Sequence, residues 1–409
     1  MLINKVFLNK DNQKQIEESK MKTEIQQLNV QKIPKLRFSG FSDEWNDFAL
    51  GGLLKYEQPT KYIVKNTEYS NEYKIPVLTA GKTFVLGYTN EAEGVFENDK
   101  LPVIIFDDFT TAKKFVDFPF KVKSSAMKIL KNTNNTISDI RFIFLLMSGL
   151  NFSLGEEHKR FWISEYSKLK VLLPSLSEQK KIADFLQSVD ALIKNLREQK
   201  ENLEAYKKAI IKKIFSQDIR FKDKNGNNFP DWEEKKLSEV CKIIMGQSPD
   251  SGFYNSVGDG MYLIQGNADI KNRETDPRNW TTQATKECSV GDIIMTVRAP
   301  VGYVAKSIYD ACIGRGVCAI RNNELSDIEF LYQFLLDFEK KWVSLEQGST
   351  FSAVNTQDVK RLRIKMPCLD EQKKIADFLT YIDKVIESTQ RQIFQVGQFK
   401  NSLLDSLFI

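Results

Sequence analysis

The 409-residue chain has one histidine, His158, and five cysteines, Cys241, Cys288, Cys312, Cys318 and Cys368, all in the C-terminal half and with no C-x-x-C pair among them. A lone histidine leaves no partner for a His-metal cluster or a histidine relay, so His158 is read as a surface or interface residue. An odd, unclustered set of cysteines argues against a zinc site and fits reduced thiols in the cytoplasm. Long apolar runs are also missing. The longest, Phe142 to Leu150, is about half of the roughly 20 residues that a membrane span needs, and the first twenty residues carry no apolar signal core. The expectation is a cytoplasmic protein without a membrane partner.

Catalytic signatures are equally scarce. There is no P-loop, no G-x-G-x-x-G and no N-P-P-[FY] tetrapeptide of a methyltransferase, so neither a catalytic residue nor a metal ligand nor a cofactor bound by this chain is expected. The fragment "DFEKK" at Asp337 to Lys341, with "SPD" upstream at 248 to 250, has the outline of a metal-dependent nuclease motif. It falls within a helical apolar period, where such charges form the solvated face. Net charge is only +5, set by 59 basic against 54 acidic residues, which permits locally basic faces and is compatible with nucleic acid.

What the chain does have is a repeat. "EQKKIADFL" stands at 178 to 186 and again at 371 to 379, and the match extends upstream, with Pro174 on Pro367, and downstream, with Phe215 on Phe408. Weaker blocks continue it: "SDIRFIF" from Ser138 matches "SDIEFLY" from Ser326, and "LRF…FSDEW" ending at Trp45 matches "IRF…FPDW" ending at Trp232. The chain is therefore two copies of one unit, roughly 35 to 218 and 219 to 409. The expected division is a polar leader over 1–34, a first domain over 35–174, a long helix over 175–218, a second domain over 219–367 and a second long helix over 368–409.

The front part of each copy mixes strand-like runs, such as "LPVIIFDDF" and "GDIIMTVRA", with an amphipathic helix after Ser138 or Ser326, which indicates an α+β (mixed α/β) fold used twice. The tail is a long helix, with Ser177 or Asp370 as the expected N-cap and Glu178 or Glu371 in the first turn. A capping box from Ser175 is the rival, but Cys368 occupies that place in the second copy. Ile182, Val189, Leu196, Leu203 and Ile210 recur every seven residues, flanked by Leu186, Ile193 and Ile214. The second tail repeats the scheme with Ile375, Ile382, Val396 and Leu403, flanked by Leu379, Ile386, Ile393 and Leu407, with Thr389 as a polar break. The two helices are expected to pair antiparallel as a coiled coil in a pseudo-twofold arrangement, each about 57 Å long at 1.5 Å per residue. Such a pair would be a spacer between two similar readers of one extended ligand, for which DNA with two half-sites is the obvious candidate.

These blocks resemble the conserved regions of the specificity (S) subunits of type I restriction-modification systems, and "MGQSPDSGFY", "GDIIMTVRAPVG" and "GSTFSAVNTQDVKRLRIKMP" are similar to their target-recognition domains. The resemblance covers nearly all of 35–409. It implies a non-catalytic subunit that reads double-stranded DNA as an asymmetric bipartite site through two target-recognition domains. It also implies two modification subunits that methylate adenine with S-adenosylmethionine, and restriction subunits that use ATP and Mg. The rival from another class is a tandem coiled-coil scaffold with no DNA role.

Base reading needs bidentate donors and acceptors, and phosphate contacts need Lys, Arg, Ser and Thr. In the second domain the candidates are Gln247, Ser248, Gln265, Asn267, Arg298, Arg315 and Ser349. In the first they are Lys82, Thr83, Thr110, Thr111, Lys113, Lys114, Lys121, Lys123, Ser124 and Ser125, with Asp107 and Asp108 either accepting from cytosine or capping the turn. Partner contacts are expected at the two equivalent first turns, Glu178, Gln179, Lys180 and Lys181, and Glu371, Gln372, Lys373 and Lys374.

Overall fold

The computed structural model describes residues 32–79, 83–150, 161–346 and 354–409. It forms two compact units, Met1–Lys194 with Phe394–Ile409, and Asn195–Ile393, whose borders fall inside the long helices. Four helices matter here: α1 (Ile140–Gly149), α2 (Leu176–Phe215), α3 (Ile328–Glu346) and α4 (Leu369–Leu407).

In the first unit a four-stranded antiparallel sheet has the order Leu54–Glu57, Met127–Asn132, Val103–Asp107, Lys113–Val116. Every residue of Val103–Asp107 is buried, and the pleat explains how. Ile104 and Phe106 point into a core shared with α1, while Val103 and Ile105 point into a second core under the three-stranded sheet of Val85–Thr89, Ile75–Leu78 and Lys121–Val122. The second unit has the same two-core plan on a larger scale. Ile293, Met295, Cys318 and Ile320 face the helices, whereas Ile294, Val317 and Ala319 face a five-stranded sheet.

The register of the backbone confirms one fold used twice. A short antiparallel ladder pairs Asn46 with Leu173 in the first unit and Glu233 with Met366 in the second. Each ladder leads into a one-turn helix whose first amide donates to a distant carbonyl, Leu50 to Leu169 and Leu237 to Leu362. Asp139 and Asp327 cap α1 and α3 by accepting from the amides of Phe142 and Phe330. A ring cluster recurs as well: Phe142 lies between Trp45 and Phe408, at 5.9 and 5.1 Å, and Phe330 between Trp232 and Phe215, at 6.2 and 5.7 Å.

The long helices run antiparallel. Within the first unit Asp190 of α2 pairs with Lys400 of α4, and within the second Lys207 pairs with Asp383. Ile182, Leu186, Val189 and Ile193 bury against Leu403 and Leu407, and Ile375, Leu379 and Ile382 bury in the other core. At the far end of α2 the expected Ile214 is buried, but one turn before it the buried residue is Ile211 and the expected Ile210 is only half-buried. The reason is drift: a helix of 3.6 residues per turn departs about 20° per heptad from a strict seven-residue period, and four heptads carry the seam about one residue forward. Thr389, the polar break, is buried, and its hydroxyl donates to the Val385 carbonyl.

The helices also begin earlier than expected. Both start at a leucine, Leu176 or Leu369, so the caps are Ser175 and Cys368 in place of Ser177 and Asp370. In the first copy the Ser175 hydroxyl accepts from the Glu178 amide at 3.4 Å. In the second the Cys368 carbonyl accepts from both Glu371 and Gln372, so no side-chain oxygen is required at that place. The reciprocal half of a capping box is absent because the glutamate turns away to an arginine.

Candidate nucleic-acid interface

In the second unit five of the seven expected positions come from four separate strand ends that meet. Gln247 and Ser248 follow Cys241–Met245, Gln265 follows Met261–Ile264, Arg298 follows Ile293–Thr296, and Arg315 lies in the turn between Ala311–Ile313 and Val317–Asn322. The backbone ties these loops together. The Gly246 amide donates to Val317, Gln247 to Ile313, Gly314 to Ile264 and Val297 to Gly316, at 2.7 to 3.0 Å, and the Arg315 amide donates to the Ser248 hydroxyl.

Glycine is required where these backbones cross. A Cβ on Gly316 would stand 2.1 Å from the Gln265 carbonyl oxygen, and one on Gly246 the same distance from the Gly314 carbonyl. Gln247, Arg298 and Arg315 are exposed, as is Asn267 in the helical turn after Gln265. Neither arginine side chain makes a hydrogen bond or ion pair among the described residues. Ser349 lies outside the described residues.

The first unit gathers fewer of its expected residues. Thr83 is exposed in the hairpin joining Ile75–Leu78 to Val85–Thr89. Beside that hairpin, Lys114 lies over the Phe84 ring, and the Lys123 amide donates to Leu78. Ser124 and Ser125 line a cleft of about 360 Å³ with Gln58, Phe109 and Lys128. Lys82 and His158 lie outside the described residues.

Three expected contacts are buried. Lys121 is 1% exposed, its ammonium paired with Glu91 at 2.8 Å and donating to the Glu93 carbonyl, so it holds a loop in place of a phosphate. The Glu91 carboxyl is held down to about 2, chiefly by the hydrogen bond from Lys121 and then by the amides of Asn66 and Lys65. Asp107 and Asp108 are buried too. Asp107 accepts from the Phe109 amide and the Thr110 hydroxyl, so it caps the turn as the second alternative had it, whereas Asp108 accepts from the distant Trp162 amide and pairs with Lys128, a fastening that neither alternative named. Strand alternation separates the adjacent lysines: Lys114 is exposed, while Lys113 lies over the Tyr166 ring, where burial lowers its pKa. Thr111 sits in the left-handed region at φ 59° to close the turn.

The repeated "EQKK" is mostly internal. Glu178 is fully buried and accepts a two-pronged bond from Arg37 at 2.7 and 2.7 Å; Glu371 does the same for Arg220 at 3.3 and 2.9 Å and also accepts from the Trp232 indole. Each glutamine spends its whole amide. Gln179 accepts from Asp139 and donates to Ile137 and Pro174; Gln372 accepts from Asp327 and donates to Leu325 and Pro367. These four side chains stitch the start of each long helix to its domain and present nothing to a partner, which corrects the surface role expected of them. Lys181 lies over Phe38 and Lys374 over Phe229, and only Lys180 and Lys373 project freely into solvent. Arg37 and Arg220 were not singled out in the sequence, although the paired "LRF" and "IRF" blocks held that signal.

The "DFEKK" fragment lies on α3, where Glu339 is engaged by Arg273. Together with Lys306, Glu329 and Asp383, these residues line a cleft of about 1110 Å³ in the second unit. Among the described residues no group of three or more His, Cys, Asp or Glu could hold a metal, and no helix is long and apolar enough to cross a membrane.

Comparison with known proteins matches residues 42–205 and 230–397 to the family described as type I restriction modification DNA specificity domain. A type I restriction enzyme specificity subunit of Escherichia coli is 31% identical over 374 residues, covering 85% of this chain and 89% of that one. Another, from Methanocaldococcus jannaschii, is 27% identical over 405 residues, covering 89% and 92%. The crystal structure of the S subunit of a type I restriction-modification system from M. genitalium has the same fold, with a TM-score of 0.62 at 15% identity over 92% of this chain and 99% of that one.

Proposed function

Because the chain belongs to the family of type I restriction-modification DNA specificity domains and carries two of them, we propose that it selects the DNA site for such a complex, each domain reading one half of an asymmetric bipartite sequence. The observation that carries this reading is the loop cluster of the second unit, where four strand ends bring Gln247, Gln265, Arg298 and Arg315 together on cross-linked backbone. Amides and guanidinium forks are the groups that read base edges, and a backbone fixed beforehand lets them do so without ordering loops on binding. The first unit offers different groups, Thr83, Lys114, Lys123 and Ser124, so its half-site differs. The matched antiparallel helices fix the spacing between the half-sites.

The chemistry belongs to partners. Two modification subunits carry S-adenosylmethionine and methylate adenine, and restriction subunits carry the ATP and Mg sites. The exposed remainder of the two equivalent first turns, Lys180 and Lys373, gives two copies of one partner the same foothold. The test is duplex binding by the chain assembled with its modification subunits, over a series of salt concentrations, together with mapping of the methylated sequence. A bipartite methylated motif and an affinity that falls steeply with salt are expected. Affinity that ignores salt, with methylation at no fixed sequence, would instead leave a scaffold without a DNA role.

A further inference from the structure

We infer that Arg315 reads a guanine in the half-site recognised by the second domain, an inference that rests on the DNA-reading function proposed above. The tripeptide Gly314-Arg315-Gly316 is the most heavily pinned part of the interface. The Gly314 amide donates to Ile264 at 2.7 Å and its carbonyl accepts from Val317 at 3.2 Å. The Arg315 amide donates to the Ser248 hydroxyl at 3.1 Å, and the Gly316 carbonyl accepts from Val297 at 2.9 Å. Three neighbouring segments are thus fastened to one short turn.

One flanking position excludes a side chain and the other is tight. A Cβ on Gly316 would meet the Gln265 carbonyl oxygen at 2.1 Å, and one on Gly314 would stand 3.1 Å from the Ser248 hydroxyl, which would have to give way slightly. The only side chain on the turn is the arginine. It is exposed and makes no hydrogen bond or ion pair among the described residues. Two acids of the adjoining loops are engaged elsewhere: Asp269 accepts from the Gln265 amide and Arg278, and Asp250 from the Gly252 amide.

Position decides what such a group reads. A phosphate contact needs a positive charge at tolerant range, which a flexible lysine supplies. A guanine needs two parallel N–H donors held in the plane of the base, facing O6 and N7. A turn fastened to three neighbouring segments, with the amides of Gln247 and Gln265 in the same cluster and Arg298 as a second cation there, meets the second requirement and exceeds the first.

The experiment uses the full chain assembled with its modification subunits and compares wild type, Arg315→Ala and Arg315→Lys by the sequence each complex methylates. The variants should assemble normally, because the side chain is exposed and makes no hydrogen bond or ion pair among the described residues. For Arg315→Ala the motif is expected to lose one guanine of one half-site, with about a 5- to 150-fold loss of discrimination at that position and the other half-site unchanged. Arg315→Lys keeps the charge without the fork and is expected to lose the same guanine. An unchanged motif in Arg315→Lys, or a loss in Arg315→Ala spread evenly over all sequences, would mark a phosphate contact and overturn the inference. Failure of the parent reading looks different: wild type itself would then methylate no fixed sequence.

Discussion

Gln372 is the sharpest place to separate a structural from a docking role for the repeated first turn. It is 1% exposed, accepts from the Asp327 amide at 2.8 Å and donates to the Leu325 and Pro367 carbonyls at 3.0 and 2.9 Å. Gln372→Ala orphans one N–H and two carbonyls. Each would cost about 1–3 kcal/mol if left dry, and water entering the vacated space lowers the sum to about 2–4 kcal/mol. The donor at stake is the amide of the α3 cap itself, so the loss reaches the whole second core. Gln372→Glu should be worse, since a carboxylate oxygen then faces two carbonyls. Lys373→Ala, one residue along and exposed, should stay within about 0.5 kcal/mol of wild type.

Urea unfolding of the full chain followed by tryptophan fluorescence reads this directly, because the Trp232 indole donates to the neighbouring Glu371. The expected result is an earlier transition for Gln372→Ala and an unmoved one for Lys373→Ala. A stable Gln372→Ala chain that fails to assemble with its partner would refute the reasoning and return the glutamine to the docking surface.

Three further outcomes follow from the same geometry. The Glu91 carboxyl lies at about 2 in the folded chain against an ordinary 4.5, so its contribution is complete above pH 4.5 and lost as pH falls towards 2. Glu91→Gln should flatten the acid side of the melting temperature against pH, and an unchanged slope would contradict the Lys121 pairing. Burial pushes the Cys241 and Cys318 thiols up to about 12, and only Cys368 of the five is partly exposed; one thiol should therefore react quickly with a disulfide reagent in the native chain, and fast reaction of several would refute the described packing. Gly316→Ala should prise apart the turn and the Gln265 loop, lowering DNA affinity by at least tenfold while leaving assembly through the helices intact, as measured by duplex binding and by size.

Much of this was legible in the sequence because a repeat is its own alignment. The identical "EQKKIADFL" strings located the starts of α2 and α4 within two residues, and heptad spacing marked the face along which they pair. Local rules failed where a distant partner decided the outcome. Ser177 was expected as the cap because helix-start chemistry is local, yet the backbone of Ser175 and Cys368 sets the start and Glu178 is drawn off by Arg37, 141 residues away. Lys121 and Gln179 were expected on surfaces because polar residues usually lie there; burial is affordable when every donor has a partner.

The sequence by itself determined that there are two like units, each ending in a long amphipathic helix, since periodicity and duplication depend on residue order alone. Only the tertiary structure decided which polar side chains are interface and which are fastening. That choice depends on strand ends brought together from positions 246, 265, 297 and 315, and on buried bonds across more than a hundred residues, relations that no local pattern encodes.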